Sequence, residues 1–245
     1  MAGTIGVSGA SAGIGRAVAL RFLAQGWAVA LLARRQEHLA AVAQGHARAL
    51  PIACDVTDVA QVDEAFAKAA RHFGRIDVLF NNAGISRPAG LIDEIPLTDW
   101  IDTVAVNLNG MFFCARAAFR QMRAQEPQGG RIINNGSVSA TTPRPGSVAY
   151  TTTKHAITGL TRSLALDGRP YSIACGQIDI GNARTELAAR MERGVPQADG
   201  SIRAEPMMDA DEVSAAVLHM ASLPLTTNIL TMTIMATNMP FAGRG

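Results

Sequence analysis

Short apolar segments alternate with longer segments of helical periodicity along almost the whole chain. The predicted strands cover residues 4–8, 27–33, 48–54, 76–81, 131–136, 172–178 and 228–235. The predicted helices cover residues 14–25, 36–44, 58–73, 97–123, 148–166 and 209–221. Helical crossovers join parallel strands, and strands that are apolar throughout are covered on both faces. The pattern predicts an α/β fold: one Rossmann-like domain over residues 1–245, with a doubly wound parallel sheet of about seven strands and helices on both faces.

Charge and residue usage exclude several classes of function. The chain has 245 residues and a formal net charge of +2, which is too small to indicate binding to nucleic acid or to a membrane surface. No apolar run reaches the roughly 18 residues of a membrane span, and no signal peptide is evident. The three cysteines are far apart and the five histidines show no ligand spacing. We therefore expect a cytoplasmic protein without disulfides or a metal site.

A glycine-rich turn follows the first predicted strand and opens the first predicted helix. Gly9, Gly13 and Gly15 allow a tight turn and a close approach of a pyrophosphate to the helix N-terminus, beside Ser11 and Ile14. The alternative is a glycine-rich connection that binds nothing. Its place after the first strand favours a dinucleotide site.

Tyr150 and Lys154 lie four residues apart at the start of a predicted helix, so they share one face. Alone, such a pair is an ordinary amphipathic surface feature. It is also the arrangement expected of a proton donor beside the cation that tunes it.

Together with further motifs in the same order, these features resemble the short-chain dehydrogenase/reductase family from about Thr4 to Met235. Ser137 lies thirteen residues before Tyr150, which is the family's usual spacing for its catalytic serine. The other matching segments are Asn81-Asn82-Ala83-Gly84, Asp55-Val56 and Asn107 within "VNLNG". In two places the chain departs from the family: Ser8 replaces a threonine, and Ile180-Gly181 stands where the family has Pro-Gly.

The resemblance implies a catalytic set of Asn107, Ser137, Tyr150 and Lys154. Tyr150 would exchange a proton with the substrate oxygen, and the nearby Lys154 ammonium would favour its phenolate. Lys154 would also bind the nicotinamide ribose, Ser137 would orient the substrate oxygen, and Asn107 would hold a water linking Lys154 to solvent.

The resemblance and the turn together also imply a set of cofactor-binding residues. They are Gly9, Ser11, Gly13, Ile14, Gly15, Arg34, Asp55, Val56, Asn81, Ala83, Gly84, Tyr150, Lys154, Gly181 and Thr185.

The end of the second predicted strand indicates which nicotinamide cofactor is used. A carboxylate there would bind the adenosine ribose and select NAD, but the strand ends in Ala33-Arg34-Arg35. The planar donor fork of Arg34 suits a 2′-phosphate, so we expect NADP, with NAD possible. The alternative is that Arg34 and Arg35 only solvate the start of the next helix, and Ala12 lacks the basic side chain of many NADP-preferring relatives.

Residues 186–208 are expected to close over the substrate as a lid. Gly194, Pro196 and Gly200 suit mobility, and Met191, Met207 and Met208 would give an adaptable apolar underside. An ordinary surface excursion is the alternative. In the preceding loop, Arg144 is expected to be a solvated arginine, the alternative being recognition of an acidic substrate.

The leading hypothesis is an NADP(H)-dependent oxidoreductase that acts on a small-molecule carbonyl/alcohol pair and forms a homo-oligomer, either a tetramer or a dimer. An NAD-dependent alcohol dehydrogenase of the same family is one alternative, and a non-catalytic nucleotide sensor is another. An extended epimerase or dehydratase would have a G-x-x-G-x-x-G turn and a longer C-terminal domain, which the sequence lacks.

Overall fold

The structure is a computed structural model that describes residues 2–185, 194–197 and 199–241. The strands are β1 (Thr4–Ser8), β2 (Ala28–Ala33), β3 (Ala49–Ala53), β4 (Val78–Asn81), β5 (Gly130–Asn135), β6 (Ile173–Ile180), β7 (Val195–Pro196), β8 (Ile202–Arg203) and β9 (Thr231–Ile234). The helices are α1 (Gly13–Ala24), α2 (Gln36–Ala43), α3 (Val59–Phe73), α4 (Leu97–Val104), α5 (Met111–Ala124), α6 (Val148–Asp167) and α7 (Ala210–Ser222).

In the described part of the chain, seven strands form one parallel sheet in the order β3-β2-β1-β4-β5-β6-β9. This confirms the predicted fold class, with strand ends that differ from the predicted ones by up to three residues. Strands β1, β2 and β6 are buried at every position, as expected for a sheet covered on both faces. The chain reverses its direction of winding between β1 and β4, and ligands of such sheets bind at the carboxyl ends of the strands near that point.

Two apolar clusters fill the layers on the two faces of the sheet. One includes Phe22 of α1 and Val217 of α7, and the other includes Phe66 of α3 and Met122 of α5. Each such side chain contributes about 1.5–3 kcal/mol when fully buried. Cys54, Cys114 and Cys175 are buried and form no disulfide, and burial raises the pKa of Cys175 to about 12.

The long helix predicted over residues 97–123 is helical throughout but not uniformly α-helical. A π-helical turn, Ala105–Gly110, separates α4 from α5. Asn107 lies in this turn. Single π turns inside helices are frequent at functional sites, because they redirect one side chain without ending the helix.

The predicted lid lies partly outside the described residues, which do not include 186–193 (and therefore Met191) or 198. Its described part contains the antiparallel pair β7 and β8. Met208 is buried in the core cluster that contains Phe22, and so it anchors the C-terminal end of the segment.

No helix in the described residues is long and apolar enough to cross a membrane. Within the same residues, no group of three or more His, Cys, Asp or Glu side chains is placed to hold a metal ion.

Candidate active site

The turn between β1 and α1 presents an open helix N-terminus to the cleft. Helix α1 begins at Gly13, and Ala12 before it provides no side-chain cap, so the first N–H groups remain available to an anion. Gly9 has a φ of 70°, and a Cβ at Gly15 would collide with the Gly9 carbonyl oxygen. The residues present therefore fit the pyrophosphate of a dinucleotide.

Asn82 ties this turn to the ends of two further strands. Its Nδ2 donates to the Ser8 carbonyl oxygen at 2.9 Å, and its backbone N–H donates to Ser8 Oγ at 2.8 Å. Its Oδ1 accepts from Asn135 Nδ2 at 2.8 Å. The hydroxyl at position 8 thus keeps a role where the family has threonine. The ends of β1, β4 and β5 are held as one rigid edge beneath the cleft.

Tyr150 and Lys154 lie on the face of α6 that is directed to the sheet. Lys154 is only 4% exposed, its Nζ donates to the Asn135 carbonyl oxygen at 2.7 Å, and it lies 5.5 Å from the centroid of the Tyr150 ring. The pair is therefore not a solvated surface feature. A buried ammonium beside a phenol stabilises the phenolate when the phenol gives up its proton.

Ser137 follows β5 and caps a short 3₁₀ turn. Its Oγ accepts from the Ser139 N–H at 3.1 Å, and its own N–H donates to Asp179 Oδ1 at 2.9 Å. The hydroxyl proton has no acceptor among the described residues and is available to a substrate oxygen.

Asn107 is fully buried and holds the segment that follows β4. Its Oδ1 accepts from the Ile85 N–H at 2.7 Å and its Nδ2 donates to the Ile85 carbonyl oxygen at 2.8 Å. The side-chain amide is therefore occupied by Ile85, and a water held at Asn107 would use another group of the residue. The role of Asn107 in holding that water stays a prediction.

Asp179, on β6, is a residue that the sequence interpretation missed. It is 5% exposed, and its Oδ1 accepts from the Ser137 N–H and from Gln177 Nε2, the latter at 2.7 Å. A chain of buried hydrogen bonds continues from Gln177 through Thr161 to Asn134 and Asn81. Burial raises the pKa of Asp179, although the hydrogen bonds and the Lys154 charge act in the opposite direction.

This raised pKa leads to a prediction for the Asp179→Asn variant. A folded carboxyl whose pKa is raised contributes stability that is full below its ordinary value of 3.8 and is lost as the pH rises through the folded value. Asparagine does not titrate and keeps the acceptor oxygen. We therefore expect the Tm of the variant minus that of the wild type to increase with pH from about pH 4 and then to level off.

Asp58→Asn is the matched control for that measurement. Hydrogen bonds from Gln61 and Ala60 lower the pKa of Asp58, which caps α3 at the surface. The Tm difference for this variant should therefore change with pH in the opposite direction. If both variants follow the same trend, the assignment to Asp179 is wrong.

A cavity of about 330 Å³ opens at the carboxyl edge of the sheet. Ser137 and Tyr150 line it together with Ile14, Gly181 and Thr185 from the predicted cofactor set. The lid residues Gly194, Val195 and Pro196 also line it, while closure of the lid stays a prediction. The volume lies within the range of small-molecule sites.

The remaining predicted cofactor residues are spread along the same edge. Ser11 and Gly13 line a second depression with Thr185, and Arg34 is exposed just after β2. Asp55 accepts two hydrogen bonds from Thr57 in the turn after β3. Val56, Asn81, Ala83 and Gly84 complete the set.

Arg144 corrects the expectation of a solvated loop arginine. Its side chain is 13% exposed and forms an ion pair with Glu205, because the loop folds inward against the segment that contains β7 and β8.

Comparison with known proteins identifies the family. The family model described as short chain dehydrogenase matches residues 3–195. The chain is 33% identical over 203 residues to a 3beta-hydroxysteroid dehydrogenase of Mediterraneibacter gnavus, covering 81% of this chain and 72% of the relative. It is 35% identical over 223 residues to a D-threitol dehydrogenase of Mycolicibacterium smegmatis, covering 88% and 84%. It is 31% identical over 245 residues to a serine 3-dehydrogenase of Agrobacterium fabrum, covering 99% and 97%.

Solved structures show the same architecture. The closed form of serine dehydrogenase complexed with NADP⁺ is 27% identical, with a TM-score of 0.88 and coverage of 99% of this chain and 98% of that one. ElxO with NADP bound is 28% identical, with a TM-score of 0.84 and coverage of 96% and 97%. The chain belongs to the short-chain dehydrogenase/reductase family, and it is an NAD(P)-dependent oxidoreductase of that family, which acts on CH–OH groups.

Proposed function

We propose that this enzyme is an NADP(H)-dependent oxidoreductase that interconverts a ketone or aldehyde and the corresponding alcohol. The observation that carries the proposal is the convergence of Ser137 and Tyr150 on one cavity, with the buried Lys154 beside the Tyr150 ring. The open N-terminus of α1 lies at the same edge of the sheet.

The chain's own side chains would position the substrate and move one proton. A bound nicotinamide cofactor supplies or accepts the hydride. The Ser137 hydroxyl donates to the substrate oxygen and holds it near Tyr150. In the reduction direction the Tyr150 hydroxyl gives its proton to that oxygen, and in oxidation the phenolate takes it back. The Lys154 ammonium stabilises the phenolate.

Turnover of a panel of ketones and aldehydes with NADPH and NADH, followed by the loss of nicotinamide absorbance, tests the proposal. Reduction of at least one member at a rate that depends on enzyme concentration is expected. Tight binding of the cofactor without turnover of any member would instead favour the nucleotide-sensor alternative.

The cofactor preference rests on Arg34. Among the described residues, the Arg34 side chain is exposed and has no ion-pair partner. Strand β2 contains no acidic residue and is followed by Arg34 and Arg35, so no carboxylate stands at its end. Two solved relatives are described with NADP bound. A charge-assisted hydrogen bond contributes about 1.5–3 kcal/mol. We therefore expect Arg34→Ala to raise the KM for NADPH about tenfold to a hundredfold and the KM for NADH much less.

Arg35→Ala is the matched control, since Arg35 is the adjacent exposed arginine that precedes α2. Its substitution should leave the ratio of the two KM values close to that of the wild type. Equal effects of Arg34→Ala on both cofactors would reject a role for Arg34 in selecting NADP.

We also propose that the protein is a cytoplasmic homo-oligomer. Apolar side chains of α4 and α5 are exposed in the single chain, with Leu97 at 78%, Ile101 at 60% and Phe112 at 48%. Leu97 and Ile101 lie one helical turn apart on α4, and exposed apolar patches of this kind are typical of interfaces. Light scattering that gives the mass of one chain would reject the oligomer.

A further inference from the structure

Arg144 forms a polar cluster in the wall of the substrate cavity. Its Nη2 lies 2.5 Å from Glu205 Oε2 and 3.0 Å from Asn182 Oδ1. Its Nη1 is buried and has no hydrogen-bond partner among the described residues, so the two N–H donors of this nitrogen are unused. Arg144 belongs to the loop between Ser137 and Tyr150, and it lines the same cavity as those two residues.

Glu205 neutralises the charge of Arg144 inside the protein. The Glu205 side chain is 2% exposed. Burial opposes its ionisation, but hydrogen bonds from Gln197 and Asn182 and the Arg144 ion pair hold the pKa of Glu205 below its ordinary value. The pair is therefore ionised at neutral pH, and its net charge is zero.

The other charged groups of the cavity wall are paired as well. Arg87 Nε lies 3.4 Å from Asp99 Oδ1, and Arg87 Nη2 lies 2.6 Å from Asp102 Oδ2. In residues 2–185, 194–197 and 199–241, each charged side chain that lines the cavity thus has a partner of opposite sign. Most of the remaining wall is apolar and includes Ile14, Pro88, Ile95, Val148, Ile180 and Val195.

We propose that this cavity selects uncharged, mainly apolar ketones and secondary alcohols over carboxylate-bearing ones, and that Glu205 sets this selectivity by neutralising Arg144. The inference rests on the proposed reaction and specifies its class of substrate. A carboxylate entering the cavity would lose its hydration, and each cation among the described side chains that line the cavity is already paired with a carboxylate, so its entry is unfavourable. The named relatives act on substrates as different as serine, threitol and a steroid, so the selectivity follows from the cavity and not from the family.

The ion pair also predicts how the selectivity can be reversed. Removing the negative charge of Glu205 leaves a buried guanidinium with free donors, and a planar guanidinium binds a carboxylate through two hydrogen bonds. The Glu205→Gln variant keeps the size of the side chain and its acceptor oxygen. A site that excludes anions should therefore become one that attracts them.

The test compares two ketones of the same skeleton, methyl 4-acetylbenzoate and 4-acetylbenzoate. For the wild type with NADPH we expect kcat/KM to be at least tenfold higher for the ester than for the carboxylate. In Glu205→Gln this ratio should fall by tenfold or more, mainly through a lower KM for the carboxylate. In the double variant Glu205→Gln with Arg144→Met the preference for the ester should return.

Asp199→Asn is the matched control, because Asp199 lies between β7 and β8 and pairs with the exposed Arg203. It should keep the wild-type ratio. A wild type that uses the carboxylate as well as the ester would overturn the inference, and so would an unchanged ratio in Glu205→Gln.

The Tm of the protein–NADPH complex, measured with each compound, reports binding and so separates this inference from the proposed reaction. Because it uses the wild type, this measurement also tests the inference if Glu205→Gln folds poorly. A larger stabilisation of the wild type by the ester than by the carboxylate supports the selectivity even if neither compound is reduced. Equal or absent stabilisation by both compounds overturns it.

Discussion

Tyr150→Phe is expected to lower kcat by about a hundredfold to ten-thousandfold while the protein stays folded and still binds the cofactor. The substitution removes one hydroxyl from a side chain that lines the cavity, and the ring next to Lys154 is kept. Without this hydroxyl the substrate oxygen has no phenol with which to exchange a proton, and the hydroxyl of Ser137 is a much weaker acid than a phenol. Single-turnover reduction of a ketone by bound NADPH measures the effect directly.

The chain offers a matched control for this variant, since its other tyrosine is Tyr171. Tyr171 packs against Phe119 and Arg123 after α6, away from the cavity wall. Tyr171→Phe should keep turnover within about twofold of the wild type. If Tyr150→Phe retains full turnover, the proposed proton transfer is wrong.

Lys154→Met is expected to lower kcat/KM by about a hundredfold while the protein stays folded. Methionine keeps the unbranched stem of a side chain that is 4% exposed, but it removes the ammonium and its hydrogen bond to the Asn135 carbonyl oxygen. A charge-assisted hydrogen bond is worth about 1.5–3 kcal/mol, and each 1.4 kcal/mol corresponds to a tenfold change in rate. Leaving the Asn135 carbonyl oxygen without its Lys154 donor costs about 1–3 kcal/mol, so we expect a modest fall in Tm beside the loss of rate.

Lys68, the only other lysine, provides the control. It is exposed on α3, so Lys68→Met should change neither turnover nor Tm. A Lys154→Met variant with wild-type kcat/KM would show that the ammonium plays no part in the chemistry. A large loss of Tm would show instead that Lys154 mainly supports the fold.

The fold could be predicted from the sequence because its signals are local. The apolar strands, the capping Asp58 and the glycine turn each act within a few residues, and the parallel order follows from the alternation of strands with helices. The π turn at Asn107 was not predictable in this way. The helical periodicity continues on both sides of the turn, and the hydrogen bonds between the Asn107 side chain and the Ile85 backbone are tertiary contacts that a local pattern does not reveal.

The parts of the site that were missed depend on contacts between distant residues. Asp179 and Ser137 are 42 positions apart, and Arg144 and Glu205 are 61 apart. One signal was present, because Gln177 and Asp179 are alternate residues of an otherwise apolar strand and therefore share a face. Two polar side chains on one face of a buried strand indicate a buried polar network.

The hydrogen-bonded row beneath the site has a direction. The row consists of the side chains of Asn81, Asn134, Thr161 and Gln177, in that order, and each donates a hydrogen bond to the next. Gln177 donates to the carboxylate of Asp179, which can only accept when it is ionised. Turning the Asn134 amide around would set its nitrogen against Asn81 Nδ2, and turning the Gln177 amide around would set its oxygen against Asp179 Oδ1. Asp179, the last residue but one of β6, thereby sets the orientation of the side-chain amides in β4 and β5, so a substitution at one position of the row changes the hydrogen bonding available to the others.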